Sequence, residues 1–138
     1  EIEVCDWSSD VCSSDLERLP KIALDPAALH RALLNIFTNA AEALDTLPPE
    51  ATKRVRITAV HDRGRGSLRL IISDNGPGLQ PEERERMFEP YFSRKKGGTG
   101  LGLAIVKSII ADHRGTIRAV AAQGGGTSIV LEFPVMRA

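Results

Sequence analysis

The feature that most limits what this chain can fold into is Gly97-Gly98-Thr99-Gly100-Leu101-Gly102, followed at once by the apolar run Leu103-Ala104-Ile105-Val106. Glycines at this density let the backbone visit positive φ and approach a neighbouring group closely, and the apolar residues after them recur at helical spacing. The segment reads as a loop feeding a helix N-terminus. Unpaired N–H groups and the positive end of the helix dipole there favour an anion, phosphate above all. The same pattern also serves as a purely structural turn, and the stretch alone leaves both readings open. It fits neither common phosphate motif: the P-loop ends in Gly-Lys-Ser/Thr, and the dinucleotide fingerprint needs a third glycine where Ile105 stands.

A length of 138 residues suits one domain with a real core. No apolar run approaches the roughly 20 residues of a membrane span, and the N-terminus lacks the basic start and apolar centre of a signal peptide. The expectation is a soluble, cytoplasmic module, with a parent protein that is free to be membrane-anchored. Asp6-Trp-Ser-Ser-Asp-Val-Cys-Ser-Ser-Asp-Leu16 lacks helical or strand periodicity and matches one reading frame of a widely used sequencing adapter. Residues 1–16 are therefore set aside as a non-native or disordered leader, leaving 17–138 as the domain. Both cysteines, Cys5 and Cys12, fall in that leader, so they carry no message about redox compartment or zinc. Without its five acids the chain holds 18 basic against 13 acidic residues, a net charge of +5. That suits an anionic ligand but not a nucleic-acid surface, because the basic residues are scattered and aromatics are few.

Leu19–Leu24 reads as a short strand. Asp25-Pro26 then reads as an N-cap and first helical residue, opening a helix from Ala27 to about Thr46. Its core stripe is Leu29, Leu33, Ile36, Ala40 and Leu44, while Asn35, Asn39 and Glu42 form a polar stripe nearly opposite. Taken alone, that polar stripe is an ordinary solvated face. Leu47-Pro48-Pro49 stops the helix. Arg54–His61 and Ser67–Ser73 alternate as a β-hairpin around Asp62-Arg63-Gly64-Arg65-Gly66. The loop Asp74-Asn75-Gly76-Pro77-Gly78-Leu79 comes next, and Pro81–Met87 is a short charged helix. After the aromatic cluster Phe88-Glu89-Pro90-Tyr91-Phe92 and the basic bridge Ser93–Lys96, a helix runs from Gly102 to about His113 with Leu103, Val106 and Ile110 as its buried line. Thr116–Ala122 and Thr127–Val135 close the chain as strands joined by Gln123-Gly124-Gly125-Gly126.

Taken in this order, the asparagine helix, Asp74-Asn75-Gly76-Pro77-Gly78, Phe88–Phe92 and Gly98-Thr99-Gly100-Leu101-Gly102 strongly resemble the ATP-binding catalytic domain of sensor histidine kinases, in the superfamily that also holds gyrase, Hsp90 and MutL. Each box is weak by itself; four in the right order at short spacings are highly specific. The resemblance covers residues 19–135. Phe88-Glu89-Pro90-Tyr91-Phe92-Ser93-Arg94-Lys95 looks most like the nitrogen-regulatory branch. The fold implied is α+β, a two-layer α/β sandwich of the Bergerat type, with a mixed, mostly antiparallel sheet covered by helices on one face.

The resemblance implies a site. Asn39 matches the magnesium-binding asparagine, whose amide oxygen is a hard ligand for a cation that bridges phosphates. Asn35 matches the other polar position of that box, so the two asparagines are the catalytic candidates. Asp74 matches the carboxylate that accepts a hydrogen bond from the adenine amino group. Gly76 and Gly78 would let the backbone pass close to the base. Gly98, Thr99, Gly100, Leu101 and Gly102 would face the phosphates. Phe88 and Phe92 match the aromatic box that hinges a lid over the nucleotide, a role compatible with ordinary packing, and Thr127 matches a polar position near adenine. Arg94, Lys95 and Lys96 read as a solvated charge run. His30, His61 and His113 lack metal-like spacing and read as surface or capping residues.

Gyrase-like relatives carry a glutamate general base where Asn35 stands. Asparagine cannot take a proton, so transfer to another nucleophile is favoured over hydrolysis, and Glu42 one turn on is a poor substitute. The implied function is that of a Mg-ATP-binding phosphoryl donor. Its partners would be a histidine-bearing dimerisation domain of a homodimeric parent, absent from this chain, and a downstream response regulator, with no nucleic acid and no direct membrane contact. The alternatives are an anti-sigma-type serine kinase and a non-catalytic nucleotide-sensing module.

Overall fold

The structure is a computed structural model that describes the backbone of residues 2–6 and residues 22–92 and 102–135 in full. The described elements are β1 (Ile2–Asp6), α1 (Pro26–Leu44), β2 (Val55–Asp62), β3 (Ser67–Asp74), α2 (Pro81–Arg86), α3 (Gly102–Asp112), β4 (Thr116–Ala121) and β5 (Thr127–Pro134). The sheet runs β1-β2-β3-β5-β4.

Register explains the layering. Ile57, Ile72, Ile129 and Ala119 form one row across β2, β3, β5 and β4, and Ala59, Leu70, Leu131 and Ile117 form the next. Because side chains alternate along each strand, both rows fall on one sheet face. Most of these residues share a core with Ala32, Ile36, Ala40 and Leu44 of α1 and Val106 and Ile110 of α3, so the helices cover that face. The opposite face is more polar: Ser73 and Ser128 share a hydroxyl hydrogen bond of 2.6 Å, and Glu132 pairs with Arg65 and Arg69. The two-layer sandwich is as expected from the resemblance. Its sheet is more regular than expected, for every pairing among the described strands is antiparallel.

The local signals explain where α1 begins. Asp25 Oδ1 accepts from Ala27 N at 3.0 Å and Ala28 N at 3.5 Å, satisfying amides that have no partner inside the helix. Its buried line includes Ala32, fully enclosed and outside the expected stripe, whereas Leu29 and Leu33 are only half-buried. A methyl group suffices where two helices approach closely. Another expectation fails: Ile22–Leu24 do not form a strand, and Leu19–Lys21 lie outside the described residues. Ile22 and Leu24 pack on the core as single apolar contacts, and the outer position beside β2 is taken by Ile2–Asp6.

No described helix is long and apolar enough to cross a membrane.

Candidate functional site

One face of α1 organises the site. Asn35, Asn39 and Ala43 follow each other at four-residue intervals and therefore project from the same side of the helix. At one end of this row, Asn35 Nδ2 donates to the carbonyl of Gly102, the first residue of α3, at 3.3 Å. At the other end, Gly76 sits so close that a Cβ there would lie 3.4 Å from the methyl of Ala43. Asn39 lies between these contacts. Eight residues of helix separate Asn35 from Ala43, about 12 Å. The face of α1 thus spans from the start of α3 to the loop after β3, with two amide side chains along the way.

That loop is held from three directions. Asp74, at the end of β3, is half-buried, and its Oδ1 accepts from Gly76 N at 2.9 Å and from Thr127 N at 3.4 Å. Burial pushes its carboxyl above the usual aspartate range, and the Gly76 and Thr127 amides pull in the opposite direction. Neither hydrogen bond uses Oδ2. A carboxylate oriented by two backbone amides and partly withdrawn from water is a rigid hydrogen-bond acceptor. Next to it, Asn75 turns the other way: its Oδ1 accepts from Arg54 N and its Nδ2 donates to Thr52 O, both at 2.6 Å. Asn75 thereby ties the loop to the connection between α1 and β2.

The third support was missed by sequence reasoning. Gly126, at φ +93°, packs on the backbone of Asp74 and Asn75, and an added Cβ would collide with the Asp74 carbonyl oxygen and lie 2.8 Å from its carbon. Gly78, at φ +79°, approaches Gly126 in turn, its Cβ position lying 3.4 Å from the Gly126 oxygen. The available signal was the run of three glycines, Gly124 to Gly126, which reads simply as a hairpin turn. Of the three, only Gly126 has a close neighbour that forbids a side chain.

The other candidates divide. Asp74, Gly76 and Thr127 are brought together, Gly78 joins them through Gly126, and Asn35 meets Gly102. Thr127 is buried. Phe88 is buried in the main core beside Met87, whereas Phe92 is half-buried against it with the Arg86 guanidinium 5.0 Å from its ring centre. Gly98, Thr99, Gly100 and Leu101, together with Arg94, Lys95 and Lys96, lie outside the described residues. His113 caps, as expected, through both ring nitrogens. A cavity of about 230 Å³ lined by Phe37, Ala41, Leu44, Asp45, Lys53 and Val55 opens on the opposite flank of α1 and includes none of the candidate residues.

The donor set restricts what could bind. Among the described residues no group of three or more His, Cys, Asp or Glu side chains could hold a metal ion. A cation on this face would need the amide oxygen of Asn39 together with ligand oxygens and water, the manner in which magnesium binds with phosphates.

Residues 24–137 match the family model described as histidine kinase-, DNA gyrase B- and HSP90-like ATPase. The chain is 38% identical over 117 residues to the sensor histidine kinase ZraS of Klebsiella oxytoca, covering 85% of this chain and 24% of that protein. It is 40% identical over 103 residues to the sensory histidine kinase/phosphatase NtrB of Salmonella typhimurium, covering 72% of this chain and 30% of the relative. A solved structure of full-length ShkA in complex with AMPPNP superimposes with a TM-score of 0.72 at 33% identity, over 87% of this chain and 24% of that one. The chain thus spans about a quarter of the length of the first curated relatives it matches. With the fold, the loop order and the extent of the match in agreement, this chain belongs to the histidine kinase-, DNA gyrase B- and HSP90-like ATPase family, as a catalytic domain of the sensor histidine kinase type.

Proposed function

We propose that this domain binds Mg-ATP and presents the γ-phosphate to a histidine of a dimerisation domain in the same parent protein, itself a homodimer that passes the phosphoryl group to a response regulator. The observation that carries the reading is the row on α1. Asn35 is tied to the start of α3, and Ala43 abuts the loop that holds Asp74, so a base acceptor and a helix N-terminus stand at opposite ends of two amide side chains. An interval of about 12 Å suits a nucleotide with its base at Asp74 and its phosphates near Gly102.

Each residue then has a task. Asp74 Oδ2 accepts from the adenine amino group; guanine, with a carbonyl at that position, places oxygen against oxygen. Gly76 and Gly78 allow the base to lie against backbone, and Thr127 fixes the acceptor from beneath. The glycine loop that ends at Gly102 supplies N–H groups to the phosphates. Asn39 is the residue that would hold Mg²⁺, which when bound neutralises phosphate charge. Phe88, buried in the core, and Phe92, packed against it, anchor the aromatic stretch that precedes the glycine loop in the sequence. In the transfer, the acceptor imidazole nitrogen forms a bond to the γ-phosphorus, the bond to the bridging oxygen breaks, ADP leaves and the imidazole gives up its proton. Asparagine at position 35 offers no base for water, which favours transfer over hydrolysis.

The test is calorimetric titration of the domain with ATP and GTP, with and without Mg²⁺, followed by mixing with the separate dimerisation domain of the parent and radiolabelled ATP. Saturable, magnesium-dependent binding that prefers ATP, and acid-labile label on the partner's histidine, are the expected results. Absence of ATP binding defeats the reading. Binding without phosphohistidine leaves a nucleotide-sensing module, and label on serine leaves a serine kinase.

A further inference from the structure

The helices α1 and α3 lie antiparallel, and α3 is tied to α1 near both of its own ends, to the middle of α1 at one and to its N-cap at the other. Asn35 meets Gly102 where α3 begins, and Asp25, the N-cap of α1, meets His113 just after α3 ends. Ten residues of α1 and eleven of the α3 segment separate the two contacts, about 15 and 16 Å of helix, so the pair forms a closed frame. Between the contacts, Ala32 of α1 and Val106 and Ile110 of α3 are buried in the same core, and Ile36 joins them just beyond Asn35.

The chemistry at the His113 end is specific. The Asp25 backbone N–H donates to His113 Nε2 at 2.9 Å, so that nitrogen must carry a lone pair. On the other side of the ring, Nδ1 lies 2.7 Å from the Ile109 carbonyl oxygen, which can only accept, so Nδ1 must carry the proton. Both requirements are met by one neutral tautomer. The ring folds back on its own helix onto the Ile109 carbonyl, which also accepts from the His113 backbone N–H at 3.2 Å, and this aims Nε2 across to α1. The Asp25 carboxylate is occupied with its own helix, accepting from Ala27 and Ala28.

We propose that His113, as its Nδ1–H tautomer, is a positioning residue for the nucleotide site: it latches the far ends of α1 and α3 and so fixes the helix carrying Asn35 and Asn39 against the helix that Gly102 opens. The proposal rests on the reading that nucleotide binds along the α1 face. The latch does not touch the ligand. It acts through the frame, since α3 can pivot about the Asn35–Gly102 end once the other end is released.

Two substitutions separate latching from simple helix capping. In His113→Gln the side-chain oxygen takes the place of Nε2 and keeps the bond to Asp25, whereas in His113→Asn the amide nitrogen takes the place of Nδ1 and keeps only the cap on Ile109. The expected result is an ATP dissociation constant within about twofold of the parent chain for His113→Gln, and weakening of about three- to tenfold for His113→Asn and His113→Ala, the range that one hydrogen bond spans. Long-range proton–nitrogen correlation spectra of the unsubstituted chain at alkaline pH should show Nδ1 protonated and Nε2 bare. Amide exchange at Asp25 should be slow in the unsubstituted chain and His113→Gln and fast in His113→Asn. The opposite tautomer, equal ATP weakening in the Gln and Asn variants, or unchanged affinity in all three overturns the proposal. If the unsubstituted chain binds no ATP, the nucleotide reading fails on its own account, and tautomer and Asp25 exchange still decide whether the latch exists.

Discussion

Gly126 lies against Asp74 so closely that a methyl group on it would collide with the Asp74 carbonyl oxygen, although 52 positions of chain separate the two. The contact seats the β4–β5 turn on the loop after β3 and brings the Thr127 amide to the Asp74 carboxylate. The turn therefore forms part of the wall of the candidate base site.

Gly126→Ala should cost about 2–5 kcal/mol of stability, from positive φ plus a collision with backbone that cannot move aside. Gly124→Ala, at φ +85° with open space around it, should cost only about 1–2 kcal/mol. Urea denaturation of the two variants checks the contrast. Equal losses would mean that the Asp74 contact carries no weight.

Asp74→Asn should weaken ATP binding about 10- to 100-fold, the value of a hydrogen bond to a charged acceptor, and largely remove the preference over GTP. The neutral amide can still accept from Gly76 and Thr127, but its NH₂ would face the adenine amino group. Stability should hold or rise. Because burial raises the Asp74 pKa, its favourable contribution relative to the unfolded chain is fully present below the unfolded pKa and is lost as pH rises through the folded one. The thermal advantage of the variant should accordingly be largest near neutrality and vanish in acid. By the same sign, ATP preference in the parent chain should decline as acidification protonates Asp74, and titrations across pH check both trends.

Asn39→Ala should abolish the magnesium dependence of ATP binding while leaving the melting temperature almost unchanged, since no described element is held by its side chain in the way that Asn35 holds Gly102. Asn35→Ala should lower both stability, by about 1 kcal/mol for the lost hydrogen bond, and affinity. Calorimetry with and without Mg²⁺ distinguishes them, and intact magnesium dependence in Asn39→Ala would remove that residue from the site.

Asn75→Ala should cost about 1–2 kcal/mol, because it releases the amide of Arg54 and the carbonyl of Thr52 from the α1–β2 connection. It should leave the ATP-over-GTP ratio intact, since Asn75 points away from Asp74's bonding partners. A changed ratio would mean that Asn75 contacts the base.

The sequence by itself determined the local pieces. Asp25-Pro26 set the start of α1 because a capping carboxylate and a fixed φ act within one turn. The alternation of Val55, Ile57 and Ala59 set β2 because strand side chains change face at every residue. The order of the four boxes was also legible, and with it the family. The tertiary structure alone decided which groups meet: Thr127 with Asp74, Gly126 with the same backbone, Asn35 with Gly102, and His113 with Asp25 across 88 positions of sequence. It also made Ile22–Leu24 two packing contacts instead of a strand, and placed Phe88 in the core. The division has one cause. Periodicity and capping are short-range properties written in neighbouring residues, while a hydrogen bond or a missing Cβ between distant segments depends on how the sheet and helices stack.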